Sequence, residues 1–119
     1  MIIESCNSSI VRVANQLSLG ADFVSSVIDF RDSSHCSIQV VWSGVDLYTG
    51  SFKLYGSLLR DESSFTDNDI DHSLYVIEAG KTSKMWIYDR LSFRYVQLRW
   101  TKNTTTTGTV DLWAQGKKV

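Results

Sequence analysis

The sequence predicts an all-β chain: a single antiparallel β-sandwich, jelly-roll-like, of about eight strands. Three observations predict it. Apolar and polar residues alternate with a period of two in segment after segment, turn-forming Gly, Asn, Asp and Ser recur between those segments, and no stretch keeps a helical period beyond two turns. The 119 residues amount to about one domain, large enough to bury roughly two-thirds of the surface that the unfolded chain exposes. The expected limits are an N-terminal arm at 1–9, the sandwich at 10–116 and a short basic tail at 117–119.

Taken in order, Ser9 to Asn15 reads as a first strand between polar breaks, and Ala21 to Phe30 as a second, with Phe23, Ser25, Val27 and Asp29 opposed to Val24, Ser26, Ile28 and Phe30. The most regular stretch is Ser37 to Ser57. Ile38, Val40 and Trp42 alternate with Ser37, Gln39 and Val41, and Phe52 and Leu54 alternate with Lys53 and Tyr55, which reads as a hairpin. Gly44 and Gly50 stand near the two strand ends, where positive φ is cheapest, so the connection is expected to be a reversal longer than two residues. Leu59 to Asp71 is a long acidic loop. Strand pattern resumes at Ser73 to Glu78, Lys84 to Asp89 and Tyr95 to Thr101, and a Thr-rich turn at Thr104 to Thr107 leads into a last strand at Thr109 to Ala114. The predicted core is Ile38, Val40, Trp42, Phe52, Leu54, Val96, Leu98, Trp100, Val110 and Leu112. With no proline in the chain, edge protection is left to charge, bulges or partner contacts.

Twelve basic against thirteen acidic side chains leave a formal charge of -1, which argues against the electrostatic footprint of a nucleic-acid or anionic-membrane binder. Apolar runs are too short for a membrane span, and Met1 to Gly20 lacks the basic start and continuous apolar core of a signal peptide, so synthesis in the cytoplasm is expected. On that default Cys6 and Cys36 read as free thiols. Their positions leave open whether their Cα atoms come within disulfide range, and neither sits in a metal-ligand spacing.

Asp67, Asp69 and Asp71, with Ser73, Tyr75 and Glu78, reproduce the ligand spacing of an EF-hand calcium loop, where oxygen atoms converge on one hard cation. His72 occupies the position where that loop needs glycine, and no helices flank it, so a solvated acidic loop is the reading preferred over a metal site of Asp67, Asp69, Asp71 and Glu78. His35 and His72 lack the carboxylate and nucleophile spacing of a triad, and phosphate-binding glycine motifs are missing. Neither an enzyme nor a cofactor is expected. The Asn7-x-Ser9 and Asn103-x-Thr105 acceptor patterns read as coincidental on the cytoplasmic default. Tyr95, Gln97 and Arg99, with Lys53 and Tyr55 as neighbours, form the candidate contact face, because Tyr and Arg are enriched at interface anchors. An ordinary solvated sheet face is the alternative.

The order of strand signatures over Ala21 to Lys118 resembles that of small β-sandwich virion proteins of tailed bacteriophages. The matching pieces are Val27-Ile28-Asp29-Phe30-Arg31, Ser37 to Gly44, Thr49 to Ser57, Phe93 to Arg99 and Thr107 to Val110. A second, partial resemblance is to discoidin-like carbohydrate-binding modules. It departs where their Ser-Asn-Asp-Gly with a following tryptophan is replaced by Ser57-Leu58-Leu59-Arg60-Asp61 and Phe65.

The first resemblance implies a non-enzymatic virion subunit, as a capsid decoration, head-associated or tail-associated protein. Its partners would be other copies of itself and other phage capsid or tail proteins, with the arm at Met1 to Ser9 and the tail at Gly116 to Val119 as candidate contact segments. The second implies a module that attaches to a host-surface glycan.

Overall fold

Alternating side chains sort ten strands into two facing sheets in the computed structural model, which describes residues 3–5 (backbone alone), 10–66 and 68–118. The strands are β1 (Ile3–Ser5), β2 (Ile10–Ser18), β3 (Phe23–Val24), β4 (Val27–Asp29), β5 (His35–Ser43), β6 (Ser51–Ser57), β7 (Tyr75–Val76), β8 (Ser83–Tyr88), β9 (Tyr95–Thr101) and β10 (Thr109–Lys117). A short 3-10 turn occupies Glu62–Phe65. The larger sheet runs β1-β4-β9-β6-β7, with β3 also on β9, and the smaller runs β2-β10-β5-β8. Every pair is antiparallel except β1 with β4. This is a β-sandwich.

The layer between the sheets holds Ile38, Val40, Trp42, Phe52, Leu54, Val96, Leu98, Trp100, Val110 and Leu112, each at most 3% exposed. Full burial of such side chains contributes about 1.5–3 kcal/mol apiece. Phe52 is the hub of the aromatic centre, with ring centroids 4.6 Å from Trp100, 5.9 Å from Trp42 and 6.4 Å from Trp86.

The hairpin expected at Ser37 to Ser57 does not form: β5 lies in the smaller sheet and β6 in the larger. Alternation specifies an apolar face for each strand but not whether two such faces share a sheet or meet across a core. Here β10 and β8 occupy both edges of β5, β9 and β7 occupy both edges of β6, and Trp42 meets Phe52 across the interior. The link between them is therefore an arch from one layer to the other.

That arch is clasped by the Thr-rich turn. The Asp46 carboxylate accepts from the Thr106 hydroxyl and from the amides of Leu47 (2.9 Å), Thr106 (3.0 Å) and Thr107 (3.1 Å). Buried Thr105 accepts from the Gly50 amide at 3.2 Å and donates to the Leu47 carbonyl at 2.7 Å, while Thr107 donates to the Gly44 carbonyl at 2.8 Å. The turn thus supplies the hydrogen bonds that a strand partner would have supplied. Gly44 has the positive φ expected of it, at 73°. Gly50 is glycine for another reason: a Cβ there would lie 2.0 Å from the Trp100 ring.

Ala21 to Phe30 is two strands, β3 and β4, broken at Ser25 and Ser26. Ser25 keeps the gap bonded to β9, since its amide donates to the Leu98 carbonyl at 2.8 Å and its hydroxyl accepts from the Leu98 amide at 2.9 Å. Part of the expected arm also joins the sandwich, because Ile3–Ser5 pairs with the edge that β4 turns away from β9. At the other end β10 continues to Lys117, whose carbonyl accepts from the Ser34 amide at 2.8 Å.

Candidate functional site

The row chosen from the sequence does come together on the outer surface of the larger sheet. Lys53 is opposite Arg99, and Tyr55 is opposite Gln97. The Arg99 guanidinium stands 4.1 Å from the Tyr55 ring centroid, a cation–π distance, and Lys53 Nζ reaches Asp69 at 3.3 Å. Tyr95 and Gln97 are closed to a partner, however. Phe65, carried in by the 3-10 turn and fully buried, packs with Val27 and Tyr95 as a second apolar cluster, and Tyr95 is only 8% exposed. Gln97 is 3% exposed and donates to the Ser25 carbonyl at 3.2 Å. Lys53, Tyr55 and Arg99 remain in partial reach of solvent.

Beside this face, the acidic loop walls one end of the sandwich. Gly56, Asn68, Asp69, Ile70, Asp71, Tyr88, Arg90 and Phe93 line an open cleft of about 600 Å³. Burial first, and then neighbouring Cys36, push the Tyr88 phenol up to about 12. A carboxylate, a guanidinium, a phenol and a phenyl ring thus line the same cleft.

Among the described residues, no three His, Cys, Asp or Glu side chains converge as a metal site. Asp67 lies outside the described residues, Asp69 is paired with Lys53, and exposed Asp71 and Glu78 are separated by β7. His72 does take the left-handed bend expected of a glycine, with φ 61°. Of the cysteines, Cys36 is buried and Cys6 lies outside the described residues, as do Asn7 and Ser9. The Asn103 amide is engaged with the Thr49 carbonyl at 2.8 Å, and His35 Nδ1 lies 3.0 Å from the Ser34 hydroxyl. No helix among the described residues is long and apolar enough to cross a membrane.

A third surface escaped the sequence reading: the outer face of the smaller sheet. Cross-strand register aligns Ile10, Gln115, Ser37 and Ile87 in one row, and Arg12, Trp113, Gln39 and Met85 in the next. Ile10 is 69% exposed, Ile87 64% and Met85 45%. A shallow trough of about 170 Å³ lies between Ile10, Trp113 and Met85, floored by Ser37, Gln39 and Gln115. The available signal was the strand Ser83–Tyr88, which is apolar on both faces, with Trp86 and Tyr88 toward the core and Met85 and Ile87 away from it.

No protein-family model matches the sequence, and no curated protein matches it. Among solved structures, the chain is similar to the SPBc2 prophage-derived protein YomS, with a TM-score of 0.58 over 89% of each chain and 11% identity. At that identity the likeness concerns the fold.

Proposed function

We propose that this chain is a non-enzymatic structural subunit of a tailed-bacteriophage virion, attached to the head or the tail and acting through contacts between protein subunits. The observation that carries this reading is the match of fold, over nearly the whole of both chains, to a prophage-derived protein. The order of strand signatures in the sequence supports it independently. So does the use made of the polar side chains: Asp46, Thr105, Ser25 and Gln97 all hold loops and strands in place, as a scaffold requires. Mass spectrometry of purified particles is expected to find the chain in stoichiometric amounts. Its absence from intact virions defeats the proposal.

The cleft at Asp69, Asp71, Tyr88, Arg90 and Phe93 favours one second reading, attachment to a host-surface glycan. Carboxylates and a guanidinium beside an aromatic face suit a sugar's hydroxyls and its apolar side. Glycan-array binding that is lost in Asp71→Asn and Arg90→Ala supports it, and an array without signal removes it.

A further inference from the structure

We propose that the outer face of the smaller sheet is a homotypic interface, on which a second copy of this chain docks face to face about a two-fold axis. The inference supplies a contact surface for the multi-copy assembly proposed above and takes its biological setting from that reading. Its physical basis is separate.

The first argument is apolar exposure. Ile10, Ile87 and Met85 project from a sheet whose opposite face is already buried in the core, and exposed Val41 extends the patch toward Asp111. An exposed apolar patch rimmed by polar groups is a common mark of an association surface. Extent is the second argument. β2, β5 and β10 are nine residues long and β8 is six. Four strands about 4.8 Å apart and rising about 3.3 Å per residue present on the order of 500 Å² of flat area. Two copies therefore bury roughly 1,000 Å² before side-chain relief is counted, which reaches the lower bound for a specific interface.

Charge selects the occupant. The two strongly charged groups in the middle of the face, Arg12 and Asp111, neutralise each other at 3.0 Å, and Arg12 also lies 5.1 Å from the Trp113 ring centroid. The rest of the central rows is uncharged: Ser37, Gln39, Gln115, Met85, Ile87 and Trp113. Central rows without net charge gain little from an acidic or basic partner, and two copies of them meet without repulsion. The relief is self-complementary as well. Met85 and Ile87 form a ridge along β8, and the trough beside them is bounded by Ile10 and Trp113. A two-fold axis seats each copy's ridge in the other's trough, because an isologous contact places residue i on j and j on i. Gln39 and Gln115 on the trough floor then hydrogen-bond across the contact.

The test is sedimentation equilibrium of the full chain across a concentration series, with Ile87→Glu and Gln39→Arg on the face and Leu59→Glu as a control elsewhere. Leu59 is 62% exposed in the loop after β6. The wild type and Leu59→Glu are expected to dimerise. Each face variant is expected to weaken the dimer roughly a hundredfold while keeping the wild-type circular dichroism, since the two-fold axis makes each change act twice. Because both substituted side chains point away from the core, Gln39→Arg keeps the test decisive should Ile87→Glu express poorly. A wild type that stays monomeric at high concentration overturns the proposal, including where it captures a different protein through this face. So does a dimer indifferent to both face variants. The virion reading is judged separately on particles: a dimer through this face that is absent from virions sinks that reading alone.

Discussion

Trp100 donates its indole Nε1–H to the carbonyl of Leu19 at 3.0 Å, which ties a central strand of the larger sheet to the loop that leaves the smaller one. Trp86 makes the equivalent bond to the Ser73 carbonyl at 3.0 Å, whereas the buried Trp42 Nε1 has no acceptor among the described residues. Replacing Trp100 or Trp86 by Phe removes volume and also orphans a buried carbonyl, at a cost of about 2–4 kcal/mol each. Trp42→Phe removes volume together with a donor that was already unmatched, so it is expected to cost about 1 kcal/mol less than either. Urea denaturation of the three variants measures this. Equal losses at all three positions contradict the assignment.

Gly50 tests the close approach that the arch depends on. The Trp100 ring occupies the space of a Gly50 side chain, and both residues are buried. Gly50→Ala must move a fully enclosed indole and is expected to destabilise by about 3 kcal/mol or more. Gly80 serves as comparison: its φ is 85° but no atom lies within 4 Å of a Cβ built there, so Gly80→Ala bears backbone strain alone and is expected to cost about 1 kcal/mol. Thermal melts of the pair read the difference.

The burial of Ile38, Val40, Trp42, Phe52 and Leu54 was legible because a period of two assigns each side chain to a face without reference to a partner. Strand pairing was not. Nothing in Ser37 to Ser57 states that Thr105 and Asp46 will clasp the connection, since those contacts join positions about sixty residues apart. The candidate contact face was legible only in part for a similar reason. Tyr95 and Gln97 alternate correctly, but Phe65 packs over Tyr95 and the Ser25 carbonyl engages Gln97, and neither an isolated phenylalanine in an acidic loop nor a break between two short strands carries a period. The exposed face of β8 was readable from Met85 and Ile87, had apolarity on both sides of one strand been taken as a surface signal.

Asp46 makes the clasp sensitive to acid. Its carboxyl is held well below the ordinary carboxylate value, by the Thr106 hydroxyl first and the Thr106 amide next, and with the Thr107 and Leu47 amides these outweigh an opposing desolvation. A depressed folded-state pKa contributes stability that is complete above the unfolded value of about 3.9 and is lost as pH falls from there toward the folded value. The wild type is therefore expected to lose stability below about pH 4, and Asp46→Asn to start lower at pH 7 and to show a flatter acid limb. Asp111 is lowered in the same direction, chiefly by the Gln16 amide, so Asp111→Asn should flatten the same limb separately. Denaturant midpoints from pH 7 to pH 2 check the sign. An acid limb unchanged in Asp46→Asn refutes the clasp's role.

Phe65 decides whether the face chosen from the sequence is covered in solution. The 3-10 turn that carries it is pinned from below, where the Ser57 hydroxyl donates to Ser64 Oγ at 2.8 Å and the Asn68 side chain donates to the Ser64 carbonyl at 2.6 Å. Phe65→Ala removes the ring that packs on Val27 and Tyr95 and is expected to cost about 3–4 kcal/mol. The main core, organised around Phe52, is a separate cluster, so the loss should stay local if that cost is below the global stability. Hydrogen exchange is then expected to accelerate at the Ser64 and Thr66 amides, which bond within the turn, while the Tyr95 to Trp100 amides of β9 keep their protection. Chemical modification of tyrosine should at the same time gain access to Tyr95. Exchange that accelerates equally in β9 shows instead that the turn is part of one cooperative unit with the sandwich, and the row Lys53, Tyr55, Tyr95, Gln97 and Arg99 could then not open without unfolding the protein.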